Sequence, residues 1–140
     1  MEIKIKKLHP DAVVPSYAYT TDAGMDLFSS EDTIVPIGGI AIVSTGIAME
    51  IPEGYVGLIW DKSGLAVKHE LKTFGGVIDA GYRGEVKVGI RNFNSHEYVI
   101  KAGNKIAQML IQKIESPSIL VVDELPDTPR GDGGFGSTGR

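Results

Sequence analysis

The chain contains no cysteine, which excludes a disulfide scaffold and any thiolate metal site. No apolar run is long enough for a membrane-spanning helix. No amino-terminal signal pattern is present either, because Met1-Glu2-Ile3-Lys4 leads straight into alternating structure. Positive charge is scarce: the formal net charge is −4 and the isoelectric point is near 5.3. A protein that grips nucleic-acid backbone carries a basic footprint, so that class is set aside. An acidic average still permits a local cationic pocket for a small phosphate-bearing molecule. His9, His69 and His96 stand among unlike neighbours and receive no metal site. These absences lead to a cytoplasmic protein, or a virus-encoded one acting in a host cell, with no membrane partner.

What is present is strand-like. The 140 residues, 42% of them hydrophobic, suit one domain with an ordinary core. Glu2 to Lys7 alternates cleanly and reads as a first strand with one wet face. His9 to Tyr19 is irregular, with Pro10 and Pro15. In Ala23-Gly24-Met25-Asp26-Leu27-Phe28, an extended backbone would turn Asp26 away from its two neighbours. Ile34 to Ile51 reads as two or more short strands broken at Pro36, Gly38-Gly39 and Gly46. Pro52-Glu53-Gly54 is a turn before the apolar strand Tyr55–Trp60. Residues 61–69 read as a loop and one or two helical turns, the only helix expected. Asn92 to His96 reads as a hairpin loop, Lys101–Asn104 as a turn, Lys105–Ile114 as a further strand, and strands are expected to end near Val122. Trp60 and Phe93 are expected in the core or at a subunit interface. Short strands with turns every 8–12 residues and almost no helix predict an all-β barrel or jelly roll.

The stretch Gly75 to Glu85 is organised differently from the rest. Val77 and Ile78 suit a strand, and Ala80-Gly81 can close a turn. Val86, Val88 and Ile90 then alternate with polar or small residues. This predicts a hairpin holding Asp79 and Tyr82 at its mouth, with bare backbone at Gly75-Gly76 open to a ligand. Taken alone, Asp79 is equally well a turn former. By the same standard Asp26 is a turn residue, Ser63-Gly64 a cap, Lys62 and Lys105 solvated charges, and Gln108 a strand residue on the wet face.

The tail changes composition. After Pro126 and Pro129, the run Arg130 to Arg140 is half glycine and cannot bury enough apolar surface to fold alone. A disordered end is one reading. The other is phosphate binding, because backbone N–H groups, the hydroxyls of Ser137 and Thr138 and two arginines supply that chemistry. A Walker-type loop is rejected, since its lysine and strand–helix setting are missing.

Five stretches, in order, now resemble the homotrimeric all-β dUTPase family. They are Ala23-Gly24-Met25-Asp26-Leu27, Lys62-Ser63-Gly64, Gly76-Val77-Ile78-Asp79 through Tyr82-Arg83-Gly84, Gly103 to Gln108, and Arg130-Gly131 with Gly133 to Thr138. The resemblance implies a distorted jelly roll, or β-clip barrel, over residues 1–125. Residues 126–140 would form a Gly-rich flap closing the active site of a neighbouring subunit. It implies hydrolysis of dUTP to dUMP and pyrophosphate, which limits uracil in DNA and supplies dUMP for dTTP synthesis. Asp79 would be the general base for the water attacking the α-phosphorus. Tyr82 would pack under the deoxyribose, and backbone around Phe74 to Gly76 and at Ile78 would read the uracil edge. Lys62, Ser63, Gly64, Lys105 and Gln108 would hold phosphates. Phe135 and Gly136 would close over the base, while Arg130, Ser137 and Thr138 grip the γ-phosphate. Mg²⁺ would be the cofactor, with Asp26 reaching it through water.

Two departures stand out. Lys62 and Lys105 occupy positions where the family commonly has Arg, so the charge stays and the bidentate fork is lost. Two other functions compete. A dCTP deaminase relative, alone or bifunctional, would need a further carboxylate and an Arg-rich motif that the sequence does not show. A nucleotide-gated binding protein would use dUTP to order the tail for a protein partner.

Overall fold

The computed structural model describes residues 1–137 and 139. Eleven strands and one helix follow one another as β1 (Lys4–Lys7), β2 (Met25–Phe28), β3 (Thr33–Val35), β4 (Ile40–Ser44), β5 (Ile47–Glu50), β6 (Tyr55–Trp60), α1 (Ser63–His69), β7 (Leu71–Phe74), β8 (Val77–Ile78), β9 (Lys87–Asn92), β10 (Tyr98–Ile100) and β11 (Lys105–Lys113). All pairings are antiparallel. They make a four-stranded sheet β2-β11-β6-β8, a three-stranded sheet β4-β9-β7, and the two pairs β1-β5 and β3-β10. The expected all-β, jelly-roll-like architecture with one short helix is what folds. No helix among the described residues is long and apolar enough to cross a membrane.

The core lies between these sheets and follows from alternation. In β9 and the residue before it, Val86, Val88 and Ile90 are buried while Lys87 and Arg91 face out. Leu27, Val35, Val43, Ile47, Ile106 and Met109 join them in one cluster. Asn92 is fully buried yet satisfied: its Nδ2 donates to the carbonyls of Val35 (3.2 Å) and His96 (2.7 Å), and its Oδ1 accepts from the Asn94 N–H (2.8 Å). The predicted breaks in residues 34–51, the Pro52-Glu53-Gly54 turn, the Lys101–Asn104 turn and the two-turn helix all occur.

Three expectations fail. Val77-Ile78 does not form a hairpin with Val86–Ile90; β8 pairs with β6, Ile78 opposite Gly57, while β9 is taken on both sides by β4 and β7. The bare backbone of Gly57 makes room for this pairing, since a Cβ there would lie 3.3 Å from Ile78 Cβ as well as 2.8 Å from Ile51 Cδ1. Residues 92–96 likewise join two sheets and are not a hairpin loop, because β10 pairs with β3. Strands end at Lys113, short of Val122; Ile119, Leu120, Val121 and Leu125 are exposed and irregular. Of the two places expected for Trp60 and Phe93, the core is excluded, since both side chains are exposed on the single chain; the Arg91 guanidinium lies 5.2 Å from the Phe93 ring centre.

Candidate active site

The predicted residues fall into three groups. The first sits where β2, β11 and the end of β6 meet. β11 places Gln108 opposite Asp26 on one side and Trp60 on the other. Asp26, buried on β2, is held between two lysines: Lys62 Nζ donates to its Oδ1, and Lys105 Nζ lies 2.7 Å from its Oδ2. Burial pushes the Asp26 carboxyl up, but hydrogen bonding and charge from Lys105 and Lys62 outweigh it and hold the group below its ordinary range. Two ammonium groups facing one carboxylate leave the cluster net positive, ready for an anion. Gln108 Nε2 donates to the Asp61 carbonyl (2.9 Å). Ser63 and Gly64 are exposed and begin α1 directly after Lys62. The first intrahelical bond runs from the Ala66 N–H to the Lys62 carbonyl (2.9 Å), so the N–H groups before it point outward without helical partners.

The second group surrounds Asp79. The Tyr82 N–H donates to the Asp79 carbonyl (3.1 Å) and closes the turn. Arg83 Nη1 pins it by donating to the carbonyls of Ala80 (2.6 Å) and Tyr82 (3.0 Å). The backbone of Asp79 thus makes the turn, while its exposed carboxylate forms no hydrogen bond or ion pair to any described residue. The hydroxyl end of Tyr82 lies against Gly84, where a Cβ would come within 2.6 Å of the ring carbon bearing the hydroxyl; Oη donates to the Glu85 carbonyl (3.0 Å). Gly76 is held against β6 by a bond from the Ile59 N–H to its carbonyl (2.7 Å). A side chain at 76 would run into the Ile59 carbonyl oxygen at 2.6 Å. Phe74 precedes it, half-exposed. Val77, Ile78, Asp79, Tyr82, Glu85 and Lys87 line a cleft of about 220 Å³.

These two groups do not meet within one chain. Along β6, Gln108 is level with Trp60 and Ile78 with Gly57, on opposite flanks of the strand. Asp79, one residue further, lies about 16 Å from Gln108 at ordinary strand rise and spacing. A base must stand within hydrogen-bond reach of the water it activates, so Asp79 and Gln108 of the same chain stand too far apart to meet one water directly.

The third group is the tail. Arg130 Nε donates to the Gly133 carbonyl (2.9 Å), and the Ser137 N–H to the Gly134 carbonyl (3.0 Å). Phe135 is fully exposed, and Gly136 takes a positive φ of 91°. Residues 115–137 make no hydrogen bond to the strands. Thr138 lies outside the described residues.

One residue escaped the sequence reading. Asp61 Oδ1 accepts from both the N–H and the Oγ1 of Thr73 (2.7 Å each), and Oδ2 accepts from Lys72 Nζ (2.6 Å). Nothing in the sequence signals this beyond its place ahead of Lys62-Ser63-Gly64.

Residues 11–139 match the family model described as dUTPase. The chain belongs to the dUTPase family. The deoxyuridine 5'-triphosphate nucleotidohydrolase of Paramecium bursaria Chlorella virus 1 is 46% identical over 135 residues, covering 96% of each chain. Among solved structures, a point mutant of the Staphylococcus bacteriophage 80alpha dUTPase with dUpNHpp superposes at a TM-score of 0.94, with 32% identity and 99% of both chains covered. A mutant dUTPase from phage phi11 of S. aureus, described for its coordination of a structural Mg(II) ion, gives a TM-score of 0.85 at 30% identity, covering 91% of this chain and all of that one.

The donor set can be tested against magnesium. Among the described residues no three acidic or histidine side chains converge, so these residues offer no protein cage. Mg²⁺ keeps its waters and is commonly held by substrate phosphates. Asp26 Oδ2, buried and without a well-aligned hydrogen bond, is an acceptor suited to a cation-bound water. The residues therefore fit a cation carried in with a triphosphate.

Proposed function

We propose that this chain hydrolyses dUTP to dUMP and pyrophosphate, working as a trimer whose sites each draw on more than one subunit. Family membership supports the reaction. The observation that carries the mechanism is the Asp79 carboxylate: it is unspent, beside Tyr82 in a cleft held by pinned backbone. In the proposed site, Asp79 accepts a proton from the water that attacks the α-phosphorus. The P–O bond to the bridging oxygen then breaks, and pyrophosphate leaves with that oxygen. Tyr82, seated on Gly84, presents its ring face to the deoxyribose and leaves no room for a 2′-hydroxyl. Backbone at Phe74, Gly76 and Ile78 pairs with the uracil edge, so a cytosine would leave buried polar groups unpaired. Lys62, Lys105, Ser63, Gly64 and Gln108 of another subunit hold the phosphates. The approximately 16 Å gap supports this division between subunits. Arg130, Phe135, Gly136, Ser137 and Thr138 close over the substrate and exclude water. Bound Mg²⁺ would neutralise phosphate charge and orient the chain, with Asp26 held to it through water. The proposed place of work is the cytoplasm, or the host cell for a virus-encoded form, where removing dUTP limits uracil in DNA and supplies dUMP.

The test is pyrophosphate release from dUTP, dCTP, dTTP and UTP, each with Mg²⁺ and with EDTA. Mg²⁺-dependent release from dUTP alone is expected. Ammonia from dCTP would point to the deaminase relative, and tight dUTP binding without release would point to the nucleotide-gated binding protein.

A further inference from the structure

We propose that Asp61 is a positioning residue for the reaction, a clasp that fixes the phosphate-holding loop and the base-reading strand to each other. The proposal rests on the roles given above to Lys62-Ser63-Gly64, Gln108 and Phe74–Gly76. Between the end of β6 and β7 the chain makes an excursion through α1, and this helix contributes no fully buried residue; Leu65 alone reaches the core cluster. Packing therefore does little to fix where Lys62, Ser63 and Gly64 stand. Asp61 closes the excursion at its base. Its Oδ1 takes both donors of Thr73, and Thr73 adjoins Phe74 and the Gly75-Gly76 backbone. Its own carbonyl takes the Gln108 amide. One residue thus ties three of the predicted substrate contacts to a common point.

The two halves of the carboxylate differ in kind. Lys72 is half-exposed, so its pair with Oδ2 is screened by water. The Thr73 bonds to Oδ1 are better shielded and directional, and are assigned the positioning. Because the phosphate-holding loop and the base-reading strand serve different sites in the proposed trimer, the clasp also joins neighbouring sites mechanically.

The experiment compares Asp61→Ala, Asp61→Asn, Thr73→Val and Lys72→Met for kcat and KM on dUTP, for the ratio of kcat/KM between dUTP and dCTP, for thermal midpoint, and for exchange of the Thr73 amide hydrogen. Loss of position at both ends should lower kcat/KM of Asp61→Ala by on the order of 10–100-fold, lower the dUTP:dCTP ratio, and speed exchange at Thr73. Asp61→Asn keeps an Oδ1 acceptor and should stay close to wild type, as should Lys72→Met. Thr73→Val should fall between. If Asp61→Ala loses only thermal stability, with kinetics and base ratio of the folded protein unchanged, the clasp is structural and the proposal fails. It fails equally if Lys72→Met matches the alanine variant. Should Asp61→Ala not fold, wild-type kinetics and base ratio in Thr73→Val overturn it. A wild-type protein that turns over no dUTP overturns the reaction reading instead, and is seen before any variant is compared.

Discussion

Two inactive proteins should make an active one when mixed. Let one carry Lys62→Met, which removes a phosphate contact but keeps the aliphatic stem, and the other Asp79→Asn. Both should fold. Lys105 still faces Asp26 at 2.7 Å in the first, so the buried carboxylate is not stranded, and the Asp79 side chain bonds to nothing described in the second. If each site takes its phosphate-holding group from one subunit and its base from the next, a site is intact only when the first comes from the Asp79→Asn chain and the second from the Lys62→Met chain. Random reassembly from equal amounts satisfies each condition half the time, about a quarter of sites over the whole mixture; every mixed trimer holds one intact site of its three, so about a third of wild-type activity is expected in the mixed fraction. The assay is pyrophosphate release after the differently tagged chains are unfolded together, refolded and isolated as doubly tagged trimers beside each parent alone. Activity no greater than the sum of the parents, in trimers shown to contain both tags, would refute the argument from the β6 register.

Asp79→Asn alone should bind dUTP as wild type does while turnover falls by about 10²–10⁴-fold, the range for removing a general base; calorimetric binding beside single-turnover kinetics checks both halves. Deleting residues 130–140 should leave the thermal midpoint unchanged, since the described residues of the tail make no hydrogen bond to the strands, while dUTP turnover drops sharply; normal turnover would remove the flap from the mechanism. Asp26 and Asp61 both have carboxyl groups held below the ordinary value of 3.8. Each therefore adds stability that is present above that value and lost as pH falls through the lower folded value. Thermal midpoints measured from pH 6 down to 3 should fall, and Asp26→Asn and Asp61→Asn should each flatten the fall.

Local pattern carried much of the fold. The alternation around Val86, Val88 and Ile90, the run Lys105 to Ile114 and the breaks at Pro36, Gly38-Gly39 and Gly46 were all readable, because burial on one face of a strand writes itself into every second residue. Pairing partners were not. Val77-Ile78 has the composition of a strand, but its choice of β6 depends on bare backbone at Gly57, distant in sequence. The apolar run Ile119 to Val122 carries strand propensity with no partner among its own described strands, so propensity alone misplaced the last strand. In the site, motif order located the candidates, while the grip of Lys62 and Lys105 on Asp26 and of Asp61 on Thr73 came only with the three-dimensional arrangement. Motif spacing is blind to contacts between side chains whose roles are indirect.

The irregular segment after β11 has a kinetic consequence. Between Lys113 and Arg130, a freely jointed stretch of this length spans about 20–25 Å root-mean-square, the scale of a small domain. As the proposed flap, Arg130 and Phe135 would in effect be a ligand on a leash, present near a loaded site at a local concentration on the order of millimolar. So tethered, they would need only feeble intrinsic attraction for the nucleotide to occupy the site most of the time. They would also let go quickly once pyrophosphate departs. Tighter gripping groups would gain little occupancy and would slow the release of dUMP.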